Sequence, residues 1–234
     1  MWKDYIKDSL SAWINQEGKD GDVVLSSRVR LARNIDGFPF PHRAASEQRE
    51  KILDIMADSC RDLFSNKQYR LIKIDQLPPL ERALLMEKNL ISPQHTETGE
   101  HNAVILDKEE KISVMINEED HIRIQSILPG LALEDAWKLA DDFDDQLEAK
   151  INYAFSEEKG YLSCCPTNLG TGMRVSVMLH LPAMTLVDQA KKVLSALTRV
   201  GVNVRGLYGE GSDSIGNIFK ISNQVALGHT EEEI

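Results

Sequence analysis

The chain has 234 residues, 42% of them hydrophobic and 27% charged, and 27 Lys and Arg against 37 Asp and Glu give a formal net charge of −10. That composition belongs to an ordinary soluble globular chain and excludes disordered, collagenous and low-complexity classes, while no apolar run approaches the ~18–20 residues of a membrane span. The acidic balance disfavours nucleic acid and anionic membranes as partners, so an anionic ligand would need the few arginines gathered in one place.

In chain order, Trp2, Tyr5, Ile6, Leu10, Trp13 and Ile14 fall at helical spacing and predict a short amphipathic helix over 2–14. Lys and Asp interrupt every apolar stretch there, which is not the pattern of a signal peptide. Gly18 and Gly21 end this segment, and Val23-Val24-Leu25 begins a strand. A helix is predicted from Ser46 to Phe64 with Ile52, Ile55, Met56 and Leu63 on one face, then a strand over Tyr69–Ile74 and a helix over Leu80–Asn89. His101–Leu106 and Ile112–Ile116 read as hairpin strands around the polar turn Asp107–Lys111, and Ile122–Ile127 extends the same sheet. The longest predicted helix covers Leu133–Phe155, with Gly160 marking its end. Beyond it come a strand, Met173–Leu181, closed by Pro182, a helix over Leu186–Val200, and strands at Val202–Leu207 and Asn217–Ser222. Short hairpins among long helices predict an α+β fold: a largely antiparallel sheet flanked by helices, in one catalytic-sized domain over 22–225 after a lead-in of 1–21. Thr230 followed by Glu233 has capping-box spacing. It announces a helix that has nowhere to go, so residues 226–234 are expected to begin the C-terminal region of a longer protein.

Four segments carry chemistry-bearing residues, and none contains a phosphate loop, a G-x-G-x-x-G, an H-E-x-x-H or a G-x-S-x-G. In Ser26-Ser-Arg28-Val-Arg30-Leu-Ala-Arg33, an extended backbone turns Arg28 and Arg30 to one face, where two guanidinium forks suit phosphate oxygens. A solvated basic strand edge explains the same residues and, taken alone, is the better reading. Asn117-Glu118-Glu119-Asp120-His121-Ile-Arg123 follows an apolar strand, and its carboxylates suit a cationic substrate or a proton; a charged turn is the blander account. Cys164-Cys165-Pro-Thr-Asn-Leu-Gly170-Thr-Gly172-Met-Arg174 is a tightly bent loop suited to an anion nest, with a cysteine at its mouth. Arg205-Gly-Leu-Tyr-Gly-Glu210-Gly-Ser has the composition of a closing lid or of an ordinary surface loop. Of the three cysteines, Cys60, Cys164 and Cys165, two are adjacent, and no Cys-x-x-Cys occurs. This fits a reducing cytoplasm and neither a disulfide framework nor a zinc site.

Taken together and in this order, SSRVRLAR, NEEDHIR, CPTNLGTGMR and RGLYGEGS resemble the signature segments of the phosphagen kinase catalytic domain, the ATP:guanidino phosphotransferases. The resemblance spans about residues 22–225 and is greatest to the bacterial protein-arginine kinases, which phosphorylate arginine side chains in proteins. It implies that Arg28, Arg30, Arg123, Arg174 and Arg205 grip the phosphates of ATP. Magnesium is then held by nucleotide and water without direct protein ligands, with Glu118 an outer-shell partner. Glu119 and Glu210 would clamp the acceptor guanidinium, Glu119 acting as base, with Cys165 aligning it as a thiolate. Only 25 residues precede the first motif, too few for the small helical domain of creatine and arginine kinases, which implies an acceptor side open to proteins. Met178 stands where metabolite kinases usually place a histidine against the nucleotide, and the adenine contacts are left unassigned. The resemblance further implies a dimer for the full-length protein, marking of substrates for a Clp protease, a kinase activator protein and control of a stress-response repressor. A kinase for free arginine or creatine, and a non-catalytic nucleotide- or arginine-binding regulator, are the alternatives.

Overall fold

Strict alternation along the first strand sets the architecture. In β1 (Val24–Arg33) Val29 and Leu31 are fully buried, whereas Arg28 and Arg30 emerge on the opposite face, as a period of two requires. The computed structural model describes residues 10–65, 68–97, 99–199, 201–206 and 215–234. After β1 come α1 (Ser46–Ser59), α2 (Arg61–Ser65), β2 (Tyr69–Lys73), α3 (Pro79–Glu87), α4 (Pro93–Thr96), β3 (Ala103–Asp107), β4 (Ile112–Ile116) and β5 (Ile122–Pro129). They are followed by α5 (Leu133–Glu148), the short pair β6 (Phe155–Ser156) and β7 (Gly160–Tyr161), β8 (Met173–His180), α6 (Pro182–Leu186), α7 (Ala190–Thr198), β9 (Val202–Gly206) and β10 (Ile218–Asn223). Eight strands form one antiparallel sheet in the order β2-β3-β4-β5-β1-β8-β10-β9. The fold is α+β, as the sequence predicts.

One face of the sheet is dry. Val29, Leu31, Val114, Ile116, Ile122, Ile124 and Val175 meet Ile52, Leu53 and Met56 of α1 and Ala136, Ala140, Phe143 and Leu147 of α5. The α5 residues recur at steps of three and four, which places them on one stripe of the helix. The other face is covered only at its β2–β4 end, where Leu85 of α3, Leu90 and Ile91 pack on Val104, Leu106 and Met115. The central strands are left with an uncovered face, and the site lies there. Near β9 and β10 a third cluster joins Ala190 and Leu194 of α7 to Phe219.

Several element boundaries differ from the sequence expectation. The longest helix stops at Glu148, because residues 152–154 run extended beside the end of β1: Ala154 N–H donates to Asn34 O and Asp36 N–H to Asn152 O. Ile151 and Ala154 continue the apolar spacing, which alone does not tell a helix from an extended segment that buries the same residues. The predicted Ser46–Phe64 helix breaks at buried Cys60 into α1 and α2, and Leu186–Val200 resolves into α6 and α7, with Pro182 opening a helix as well as closing a strand. Most of the predicted N-terminal helix lies outside the described residues, and Ala12–Ile14 form a turn. Thr230 does cap, but what it caps is a single 3-10 turn, Glu231–Glu233. Among the described residues no helix is long and apolar enough to cross a membrane.

Candidate active site

The register of the central strands turns scattered arginines into a lattice. Arg30 lies directly across from Arg174 on β8 and from Gln125 on β5, Arg123 is paired with Ala32, and Arg28 is flanked by Ser176 and Ile127. One row further, Met178 is opposite Lys220 on β10, which in turn pairs with Arg205 on β9. Arg28, Arg30, Arg123, Arg174 and Arg205 thereby line one cleft of about 1210 Å³ on the uncovered face, together with Glu119 and Cys165. All five arginines expected to hold phosphates are brought together.

These cations repel one another. Burial, Arg123 and Arg174 lower the Arg28 guanidinium to about 10, and burial with Arg123, Arg28 and Arg174 lowers Arg30 further still. Burial and Arg205 likewise lower Arg174. A set of partly desolvated guanidinium groups facing the same space is relieved by a polyanion, which suits a triphosphate. The cleft adds a polar handle in Gln125, which accepts from Arg28 at 3.5 Å and donates to Asn89 O at 2.6 Å and Ser113 Oγ at 3.1 Å.

The carboxylates come from the loop joining β4 to β5. Asn117 takes a positive φ of 58° and its side chain donates to Arg49 O and His101 O, so the chain reverses tightly and aims the acidic residues at the cleft. Two adjacent glutamates then have opposite fates. Glu118 is 2% exposed and accepts from Arg123 at 2.7 and 2.8 Å, from Ser92 Oγ at 2.6 Å and from its neighbour's N–H at 3.0 Å. Burial works to raise its carboxyl, but Arg123, Ser92 and the Glu119 N–H outweigh it and hold Glu118 at about 2. With both oxygens committed inside the protein, the geometry favours Glu118 as the anchor of Arg123 over an outer-shell contact to magnesium. Glu119 is exposed to the cleft, and burial, Asp120 and Glu118 raise its carboxyl against the pull of Arg123 and Arg30.

The Glu118 pairing has a pH signature. A carboxyl depressed from 4.5 to about 2 contributes stability that is fully present above about pH 4.5 and is lost as the pH falls towards 2. Urea titrations of the wild type and Glu118→Gln should show a gap in unfolding free energy that is widest above pH 4.5 and closes through that window.

Cys165 is placed by the loop between β7 and β8. It caps the 3-10 turn Pro166–Asn168, its N–H donates to Ser163 Oγ at 3.3 Å and its sulfur lies 3.1 Å from Thr167 Oγ1. The loop closes through Gly170 (φ 103°) and Gly172 (φ 68°). At Gly172 a Cβ would fall 2.6 Å from both Ala32 O and Arg33 Nη1, so only glycine fits where the loop meets β1. Glu210, the second expected clamp, lies outside the described residues.

Three functional residues were not singled out from the sequence. Asp120, beside the base, is 2% exposed and ties the β4–β5 loop to the cysteine loop. His121 accepts from Ile35 N–H at Nδ1 and donates from Nε2 to Pro39 O, so it is a neutral structural imidazole, and burial lowers its pKa. Arg33, two strand positions beyond Leu31, turns inward, bonds to Asp144 at 2.6 and 2.8 Å and stacks 3.6 Å over Tyr161. Parity along β1 is the signal that separates Arg33 from Arg28 and Arg30. Among the described residues no group of three His, Cys, Asp or Glu side chains is placed to hold a metal ion.

Comparison with known proteins agrees with this geometry. The profile of ATP:guanido phosphotransferase, C-terminal catalytic domain, matches residues 51–234. The protein-arginine kinase of Halothermothrix orenii is 51% identical over 99% of this chain and 66% of its own length, and that of a Geobacillus species is 49% identical over 98% and 64%. The chain therefore spans about two thirds of the length of these relatives. The duplicated taurocyamine kinase of Schistosoma mansoni, solved with transition state analog components, superposes with a TM-score of 0.80 at 25% identity, over 93% of this chain and 32% of that one. A lombricine kinase shares the fold, with a TM-score of 0.77 at 23% identity, over 92% of this chain and 63% of its own.

Proposed function

This chain belongs to the ATP:guanido phosphotransferase family, and from that premise we propose that it transfers the γ-phosphoryl group of ATP to the guanidinium of arginine side chains in proteins. The observation that carries the reading is the single cleft in which five arginines from four strands converge beside Glu119 and Cys165. Phosphoryl transfer requires chiefly positioning and stabilisation of phosphate charge, and the strand register supplies both. The protein acceptor is supported by relatives of about half-identical sequence, which carry the name protein-arginine kinase.

In this reading the guanidinium nitrogen attacks the γ-phosphorus in line as the bond to the β,γ-bridging oxygen breaks and ADP departs. A guanidinium has no free lone pair at neutral pH, so its proton must leave as the N–P bond forms, and Glu119 takes it. The Cys165 sulfur lies along the planar acceptor and aligns it without forming a covalent intermediate, and Glu210 completes the clamp. The absence of a metal-binding carboxylate cluster among the described residues fits a magnesium ion carried in on the nucleotide phosphates, whose charge it neutralises when bound. The proposal extends to the setting that the family resemblance implies: a cytoplasmic enzyme, dimeric at full length and working with a kinase activator protein, whose products are marked for a Clp protease and one of whose targets is a stress-response repressor.

The test is mass spectrometry, without acid steps, after incubation with Mg-ATP and either a mixed-protein substrate or free arginine. Acid-labile phosphate on protein arginines is the expected result. Phosphate on free arginine alone would reassign the chain to the kinases of small guanidino metabolites, and ATP binding without transfer to either would favour a regulator.

A further inference from the structure

Four hydrogen bonds meet at one buried carboxylate and its neighbours, and they join segments far apart in the chain. Asp120 Oδ1 accepts from the Cys164 N–H at 2.7 Å and from Asn34 Nδ2 at 2.7 Å, and Oδ2 accepts from Ser163 Oγ at 2.9 Å. The same Ser163 oxygen accepts the Cys165 N–H. Asn34, just past the end of β1, also donates to Leu162 O at 2.9 Å and accepts the His121 N–H at 2.9 Å. Every donor that reaches Asp120 comes from the cysteine loop or from the β1 end, and Glu119 is its immediate neighbour in the chain.

We propose that Asp120 is the positioning residue that sets Cys165 opposite Glu119 and registers both against the phosphate-binding strand. The inference rests on the arginine-acceptor reading above, because it concerns the two groups that hold the acceptor. The physical argument is one of short connections. Between the base and the thiol stand one side chain and two peptide units, all buried or hydrogen-bonded, so the separation of Glu119 from Cys165 is fixed before any substrate arrives. A carboxylate is required because it accepts at both oxygens. An amide at position 120 would turn an N–H₂ towards a donor from Ser163, Asn34 or Cys164, and one of these loops would have to move. A displacement of about 1 Å at reacting groups costs roughly a hundredfold in rate, whereas the arginine lattice, held by strand register, would keep its grip on ATP.

Two variants test this, Asp120→Asn and the milder Ser163→Ala, each with three readouts. These are the rate of Cys165 alkylation by iodoacetamide as a function of pH, located by peptide mass spectrometry; ATP affinity by calorimetry; and kcat and KM for a protein acceptor. Asp120→Asn is expected to shift the alkylation profile and lower kcat by roughly a hundredfold with ATP affinity unchanged, and Ser163→Ala to do the same to a smaller degree. An unchanged alkylation profile and kcat would overturn the proposal. So would a loss of ATP affinity as large as the loss of rate, which would make Asp120 a general scaffold residue. Should Asp120→Asn not fold, Ser163→Ala decides by the same criteria. If the wild type transfers nothing to protein arginine, the functional reading fails, while the alkylation profile still decides whether Asp120 sets the thiol.

Discussion

Glu119→Gln is expected to reduce phosphoryl transfer by about two to four orders of magnitude, the usual span for loss of a general base, while ATP affinity stays close to wild type. Glutamine keeps the size of the side chain and a hydrogen-bond acceptor, so the guanidinium still docks, but it cannot take the proton. The pH profile adds a second readout. Partial burial and the neighbouring Asp120 and Glu118 raise the Glu119 carboxyl against Arg123 and Arg30, and a base works only when deprotonated. The acid limb of kcat should therefore lie above the ordinary carboxylate range and disappear in the variant. Arg174→Ala should behave in the opposite way, weakening ATP binding roughly ten- to a hundredfold, the equivalent of about 1.5–3 kcal/mol for a charged hydrogen bond. Calorimetry on the two variants separates the roles, and equal losses of ATP affinity in both would undo the assignment of Glu119.

The largest expected effect on stability is at Asp144. Its carboxylate accepts from Arg33 Nε and Nη2 and from the Tyr153 hydroxyl at 2.9 Å, and both members of the ion pair are nearly inaccessible to water. Asp144→Ala would leave the Arg33 charge buried without its main counterion, with Glu231 3.8 Å away. Breaking a buried pair in this way costs about 3–5 kcal/mol, which in a chain of this size lowers Tm by on the order of 10 °C. Tyr153→Phe removes one hydrogen bond and should cost only about 1 kcal/mol. The effect reaches the site, because Arg33 Nη1 also donates to Thr171 O at 2.8 Å and Gly172 O accepts the Ala32 N–H. Differential scanning calorimetry of the two variants tests the difference; a Tm for Asp144→Ala within a degree of wild type would mean that the pair adds nothing net.

The sequence by itself determined more of the site than of the element boundaries. Period-two alternation put Arg28 and Arg30 on one face of a strand, and the structure adds Gln125 and Arg174 across the sheet from them. The segments NEEDHIR and CPTNLGTGMR are local, so their loops and glycines were legible as loops and glycines. Helix and strand identities were mostly legible too, because an amphipathic stripe or an alternating run needs no knowledge of its partner.

What only the tertiary structure decided concerns partners distant in sequence. Glu118 and Glu119 are neighbours of identical chemistry. Their division into an anchor and a cleft-facing carboxylate depends on Ser92, brought in from the chain after α3, and on Arg123 bending back towards Glu118. Arg33 shares a motif with two cleft arginines, yet it is buried because Asp144, 111 positions away, neutralises it there. The end of α5 at Glu148 follows from backbone groups of Asn152 and Ala154 finding partners beside β1, which the apolar spacing through Ile151 and Ala154 does not encode. Local pattern fixes the direction in which a side chain points. Whether it meets water, an opposite charge or a second loop depends on which distant segment packs there, and that is settled only when the whole sheet and its helices close around one another.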